Sequence, residues 1–121
     1  DCSHSLCFRE PTVPTAEDIF DALRDVTDRA KRQGSRVYLG TIAPFGSFGD
    51  PWREQAEALR QDYNRLIRNS HIADGIADMD AALRDPDDVH RMQEGFHLGD
   101  GIHPNWLGGE RMADVLMKTL Q

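Results

Sequence analysis

No run of apolar residues in this sequence is long enough to cross a membrane. The longest uncharged stretch, Val37 to Gly49, has 13 residues and is interrupted by Gly40, Pro44 and Gly46, against the ~18 or more apolar residues that a spanning helix needs. The sequence therefore predicts no membrane span. Positive charge is scarce as well. Only 14 basic residues stand against 21 acidic ones, a formal charge of −7, and no cluster of Lys and Arg reverses this locally. Phosphate backbones and anionic head groups are repelled by such a chain, so nucleic acid is not an expected partner. Aromatic residues reach only 7%, but apolar residues together make up 39% of 121, enough for one modest core and too few for two domains.

Cysteine is nearly absent. Cys2 and Cys7 flank Ser3, His4, Ser5 and Leu6, which is too few ligands for a structural zinc framework. The spacing suits a small disulfide loop, with two free thiols as the alternative, and it tilts the expected compartment toward the extracellular rather than the cytoplasmic. A starting methionine is absent too. Asp1 opens the sequence, and no basic stretch followed by an apolar one precedes the folded part, so upstream material is expected to be missing or removed.

Residues 1 to 14 are polar and carry Pro11 and Pro14, the pattern of a loop. A helix then starts at Thr15, whose hydroxyl can cap the first turn, with Glu17 and Asp18 placed at the positive end of the helix dipole. Ala16, Ile19, Phe20, Leu23, Val26 and Ala30 predict its buried face, and Gly34 its stop. The run Arg36 to Ile42 reads as a strand buried on both faces, closed by Pro44. Asp50-Pro51 opens a second amphipathic helix marked by Trp52, Ala56, Leu59, Tyr63, Leu66 and Ile67, ending near Asn69 or Ser70. Gly75 to Met79 predicts a second strand and Asp80 to Arg84 a helical turn, which Asp85-Pro86-Asp87-Asp88 breaks. A glycine-rich loop follows from Gly95. The last helix runs from about Trp106 to Leu120, with Met112, Ala113, Leu116 and Leu120 expected on its inner face.

Helices alternating with strands predict an α/β fold with a parallel sheet. Only two strands can be read. A sheet that narrow cannot bury both faces and leaves edges unpaired, which points to part of a larger α/β domain.

In open α/β sheets, sites gather on loops beyond the carboxyl ends of the strands. One such loop runs from Ala43 to Gly49; the other holds Gly99-Asp100-Gly101-Ile102-His103-Pro104. There a carboxylate precedes an imidazole by three residues, with Gly101 between them for a sharp turn. A carboxylate on Nδ1 fixes the tautomer, leaves Nε2 free to take a proton and stabilises the resulting imidazolium. By itself such a pair is far more often the mark of a solvated or turn-forming loop. Metal binding by His97, Asp100 and His103 is a rival reading of the same spacing, but no helical H-E-x-x-H face supports it, so neither a metal nor a cofactor is expected.

The wider context is more specific. Asp100-Gly101-Ile102-His103-Pro104-Asn105-Trp106-Leu107-Gly108-Gly109, with Met112-Ala113 beyond, closely resembles the last motif block of the SGNH (GDSL) hydrolases. Val37 to Phe45 looks like that family's fourth strand and pocket loop, and Ile76 to Asp85 like the segment after its fifth strand. The resemblance covers nearly the whole chain. It implies a three-layer αβα, flavodoxin-like fold of which residues 1–121 are the C-terminal portion of a single domain, and a cofactor-free serine esterase or lipase acting on small-molecule or lipid esters. Asp100 and His103 fall on the family's orienting acid and catalytic base. The family's Gly-Asp-Ser nucleophile element and its oxyanion-hole glycine and asparagine are not present; Asp1 resembles only the last residue of the Gly-x-Asn-Asp element.

Among the local serines, Ser3, Ser5, Ser35, Ser47 and Ser70, the most interesting is Ser47, but it lacks the strand-turn-helix setting that exposes a nucleophile. Phe45, Ser47, Phe96 and Trp106 are therefore expected as substrate-pocket residues. The nucleophile is expected from polypeptide outside the chain, either an N-terminal segment of the same domain or a second copy. The alternative is a non-catalytic binding or complementation fragment with an open sheet edge.

Overall fold

The computed structural model describes residues 14–46 and 51–121, apart from the side chains of 51 and 52. Cys2, Cys7, Ser3, Ser5 and Ser47 lie outside the described residues, as does the side chain of Trp52.

Helix α1, Ala16–Arg32, starts as its sequence requires: the Thr15 hydroxyl accepts from the Asp18 amide at 3.1 Å, and the Asp18 carboxylate accepts from the Thr15 amide at 3.0 Å. This reciprocal pair satisfies two amides that the helix start would otherwise leave open. Ala16, Phe20 and Thr27 are buried, whereas Val26, expected inside, is exposed. The buried face follows the positions 16, 20, 23 and 27, and Val26 sits on its edge.

Strand β1, Tyr38–Gly40, pairs in parallel with β2, Gly75–Ala77, with Leu39 opposite Ile76. Both are shorter than the sequence predicts, because side chains take over the backbone groups that would extend them. Ile42 donates its N–H to Asn64 Oδ1 at 2.8 Å, and its carbonyl accepts from Arg60 Nη1 and Asn64 Nδ2, each at 3.0 Å. Asp78 leaves β2 to cap α3, Met79–Leu83, by accepting from the Ala81 amide at 3.0 Å.

Helix α2, Pro51–Asn69, packs beside α1, and Tyr63 and Ile67 join Ala16, Phe20 and Leu39 in the first core cluster, with Ile76 packed against it. Successive strand residues face opposite sides of a sheet. Ile76 faces this cluster, while a side chain at Gly75 would meet the Thr119 methyl at 3.1 Å. The last helix, α4, Trp106–Leu120, therefore covers the other face, and the parallel pair carries helices on both sides. Among the described residues no helix is long and apolar enough to cross a membrane.

After α3 the chain forms a second sheet, absent from the sequence reading. Strands β3, Arg84–Asp85, and β4, Asp88–Met92, pair antiparallel. The fold is α/β, but the expectation of two strands is corrected to a parallel pair plus an antiparallel pair. The supposed breaker Asp85-Pro86-Asp87-Asp88 is the hairpin turn: Pro86 presets the turn dihedral, and Asp85 Oδ1 accepts from the Asp87 amide at 2.8 Å. Ala82, Leu83 and Met92 form the second core cluster, packed with Ala43, Phe96, Met112 and Val115.

Helix α4 is rotated relative to its expected setting. Met112 and Val115 pack inward, while Ala113, Leu116 and Leu120, expected inside with Met112, are exposed. The cause is Gly108. It is buried so closely against the preceding loop that a Cβ there would lie 2.3 Å from the Phe96 carbonyl oxygen, which turns positions 108, 112, 115 and 119 toward the core. Gly108→Ala must push that loop away from the helix start, and an overpacking cost of about 1–3 kcal/mol is expected. A lowered urea midpoint with unchanged helical circular dichroism is the check.

Candidate active site

Two side-chain networks fix the ends of the strands. The first is centred on the buried Glu57, Arg60 and Asp80. Arg60, 1% exposed, forms a two-point bridge to Glu57 at 2.6 and 2.8 Å and donates to Asp80 at 2.6 Å, with further bonds to the carbonyls of Ile42 and Val89 at 3.0 Å each. Asp80 also accepts from Arg68 at 2.6 Å and from Arg84 at 3.1 Å, and Arg68 grips Asp78 through two bonds of 2.9 Å. Three guanidinium groups thus meet three carboxylates. Burial raises the Glu57 carboxyl, but the bonds from Arg60, His90 and Gln61 outweigh it and the pKa ends below its usual value. Burial also raises Asp78, yet Arg68, the Ala81 amide and the Thr41 hydroxyl bring it down to about 2. Glu57 and Asp78 are therefore held as anions by their partners.

The second network is the loop before α4. An antiparallel bridge sets His97 opposite Pro104, closed by Leu98 N–H to the His103 carbonyl at 3.0 Å and Asn105 N–H to the Phe96 carbonyl at 2.8 Å. Asn105 caps α4 by accepting from Gly108 N–H at 2.9 Å, while its own Nδ2 donates to the carbonyls of Gly95 at 2.7 Å and His97 at 3.2 Å. Inside the loop, His97 Nδ1 accepts from the amides of Gly99 at 2.9 Å and Gly101 at 3.2 Å. The proton of its neutral ring therefore sits on Nε2, which lies 3.5 Å from Glu94. Gly99 and Gly101 adopt φ of 103° and 73°, conformations that residues with a Cβ rarely take.

Held between these glycines, Asp100 turns its carboxylate back on the chain. Oδ1 accepts from the amides of Ile102 and His103 at 2.9 and 3.0 Å, and Oδ2 meets His103 Nδ1 at 2.6 Å. The His103 hydrogen bond, reinforced by those two amides, holds the Asp100 carboxyl well below the usual carboxylate range. An ionised carboxylate on Nδ1 keeps that nitrogen protonated and leaves Nε2 as the basic atom. The ring is 70% exposed and Asp100 40%, and no hydrogen bond from the described residues engages Nε2.

Both loops picked out by the sequence converge here. Gly46 N–H donates to the His90 carbonyl at 3.1 Å, tying the loop after β1 to the hairpin. Gly46, His97 and Asp100 share the lining of a small cleft of about 120 Å³. On the other side, Ile102 helps to line an apolar cavity of about 430 Å³ together with Ile19, Ile42, Phe45, Leu59 and Tyr63. The Phe45 ring lies 6.0 Å from the Arg60 guanidinium.

Of the expected pocket residues, the structure thus brings Phe45 into the cavity that Ile102 also lines. Phe96 packs against Ala82, Leu83 and Met92 and borders a separate depression with Arg84 and Arg111. Trp106 opens α4 at 80% exposure and lines neither cavity. Ser70 donates to the Ile67 carbonyl at 2.8 Å, at the end of α2, and neither Ser35 nor Ser70 is hydrogen-bonded to His103. Among the described residues no group of three His, Cys, Asp or Glu side chains is placed to hold a metal ion, and His97 spends Nδ1 on two amides.

No family model and no curated protein matches the chain. The sequence reading did not foresee the supporting residues. His97 between two glycine-bearing turns and Asn105 at a helix start were both visible, but a ring nitrogen accepting two backbone amides leaves no spacing pattern to recognise.

Proposed function

We propose that this chain carries the acid–base half of a serine ester hydrolase of the SGNH (GDSL) type, within a three-layer αβα, flavodoxin-like domain. The observation that carries this reading is the 2.6 Å contact between Asp100 Oδ2 and His103 Nδ1 with the opposite ring nitrogen open to solvent.

The chemistry follows from that contact. Nε2 of His103 takes the proton of a serine hydroxyl as the serine oxygen attacks the ester carbonyl, and Asp100 stabilises the imidazolium. When the tetrahedral adduct collapses, the same proton passes to the leaving alcohol oxygen and the acyl group stays on serine. Water, deprotonated by the same nitrogen, then releases the acid. No metal or organic cofactor enters this scheme. The serine and the oxyanion donors come from polypeptide outside these 121 residues. The apolar cavity lined by Phe45 and by Ile102, the residue before His103, supports a small-molecule or lipid ester as substrate, since it offers an apolar surface to an acyl or alcohol group.

A second reading, a binding or complementation fragment without catalysis, is favoured by one observation: among the described residues β1 pairs only with β2, so its other edge is open to another polypeptide. Hydrolysis of a p-nitrophenyl ester separates the two. The chain alone is expected to be inactive, and activity is expected when the polypeptide encoded immediately upstream, carrying a Gly-Asp-Ser element, is added. Activity in the chain alone overturns the external serine. Tight association without activity favours the binding fragment.

A further inference from the structure

We infer that His97 is the positioning residue of the Asp100–His103 pair: its neutral ring, rather than packing, holds the turn that carries Asp100. The inference deepens the hydrolase reading and rests on it for its effect on catalysis.

His103 has little besides Asp100 to orient it. Its ring is 70% exposed, and among the described residues its side chain makes one hydrogen bond, the 2.6 Å contact at Nδ1. What fixes Asp100 therefore fixes His103. Asp100 sits between two glycines of positive φ, 103° at Gly99 and 73° at Gly101, and glycine has more backbone freedom to lose than any other residue. Packing restrains the turn little: Gly99 and Asp100 are exposed, and a Cβ at Gly99 would meet no atom within 4 Å. The Asp100 carboxylate is no anchor either. The amides it accepts from, those of Ile102 and His103, belong to the same turn and move with it.

His97 supplies the anchor. Its side chain is only 9% exposed, and its backbone is pinned twice, by the bridge to Pro104 and by Asn105 Nδ2, which donates to its carbonyl at 3.2 Å. From this fixed position Nδ1 accepts from the amides of Gly99 at 2.9 Å and Gly101 at 3.2 Å, one on each side of Asp100. Backbone amides that converge in a turn make a concavity for an electron-rich atom. Here a ring nitrogen fills it. Its lone pair is free to accept only when the proton is on Nε2, whereas the Asp100 contact keeps the His103 proton on Nδ1. The two imidazoles therefore work in opposite tautomers, and His97 keeps no lone pair for a proton or a metal. A ring that merely filled space would steady the loop with no bearing on where His103 holds its proton.

The chain by itself tests this. Nitrogen-15 NMR that correlates the ring nitrogens with the carbon-bound ring protons, in mildly alkaline buffer, is expected to show wild-type His97 protonated at Nε2 and His103 at Nδ1. His97→Phe keeps the ring outline and removes the acceptor. His103 is then expected to shift toward the Nε2–H form that a free imidazole prefers, while the Gly99 and Gly101 amide resonances move together. His97→Asn, whose Oδ1 can stand where Nδ1 stood, is expected to restore the Nδ1–H form. With the upstream polypeptide added, His97→Phe is expected to lower kcat for a p-nitrophenyl ester by about a hundredfold, the scale of a small misplacement, with KM nearly unchanged. If His97→Phe does not fold, His97→Leu takes its place. A wild-type chain in which either ring shows the opposite tautomer overturns the inference, and so does a folded variant without the acceptor in which His103 keeps its Nδ1 proton. If the complemented wild type is inactive, the hydrolase reading falls, while the tautomers, read on the chain alone, still decide the role of His97.

Discussion

In an assembled enzyme, His103→Ala is expected to lower turnover by about two to four orders of magnitude, the usual contribution of a positioned general base. His103 is 70% exposed, so little packing is lost and the unfolding free energy from urea titration is expected to stay within about 0.5 kcal/mol of wild type. Asp100→Asn separates orientation from charge. The amide can donate to Nδ1, which moves the ring proton to Nε2 and occupies the atom that must act as base. A loss comparable to that of His103→Ala is expected, with binding of a substrate analogue preserved. The measurement is turnover of a p-nitrophenyl ester by the complemented enzyme, with folding followed in parallel. Near wild-type turnover in folded His103→Ala would end the assignment.

The second large effect concerns stability. Arg60→Ala strips two buried carboxylates, Glu57 and Asp80, of their shared guanidinium, takes the Arg60 donor from the Val89 carbonyl and leaves the Ile42 carbonyl with Asn64 alone. Breaking a buried pair by removing one partner costs about 3–5 kcal/mol, a large part of the ~5–15 kcal/mol that holds a typical domain together. Arg60→Lys keeps the charge but not the planar fork that reaches both Glu57 oxygens, so an intermediate loss is expected. Urea unfolding followed by circular dichroism reads both. A change below about 1 kcal/mol for Arg60→Ala would mean that water replaces the guanidinium, and that this network does not hold the loop after β1 in place.

What the sequence revealed and what it hid divide along the range of the interactions. Helix α1 was legible because its cap, charges and apolar face are all local, and the dyad was legible because Asp100 and His103 meet within one turn. The hairpin was hidden: Asp85-Pro86-Asp87-Asp88 carries the same residues whether it ends a helix or reverses a strand, and only the packing of Leu83 and Met92 decides. Arg60 stood at a helical spacing that reads as a solvated face, and its two carboxylate partners, Glu57 and Asp80, come from α2 and α3, which are separate along the chain. The rotation of α4 rests on one backbone contact, Gly108 against Phe96. Periodicity allowed either of two apolar faces to turn inward.

The closure of residues 97–104 upon themselves has a final consequence. Asp100, His103 and their spacing are set inside a circuit whose ends are stitched together by His97, Pro104 and Asn105, so the pair behaves as a cassette. Substitutions elsewhere in the chain are expected to change where this turn is presented and what it faces, while the Asp100–His103 contact keeps its geometry.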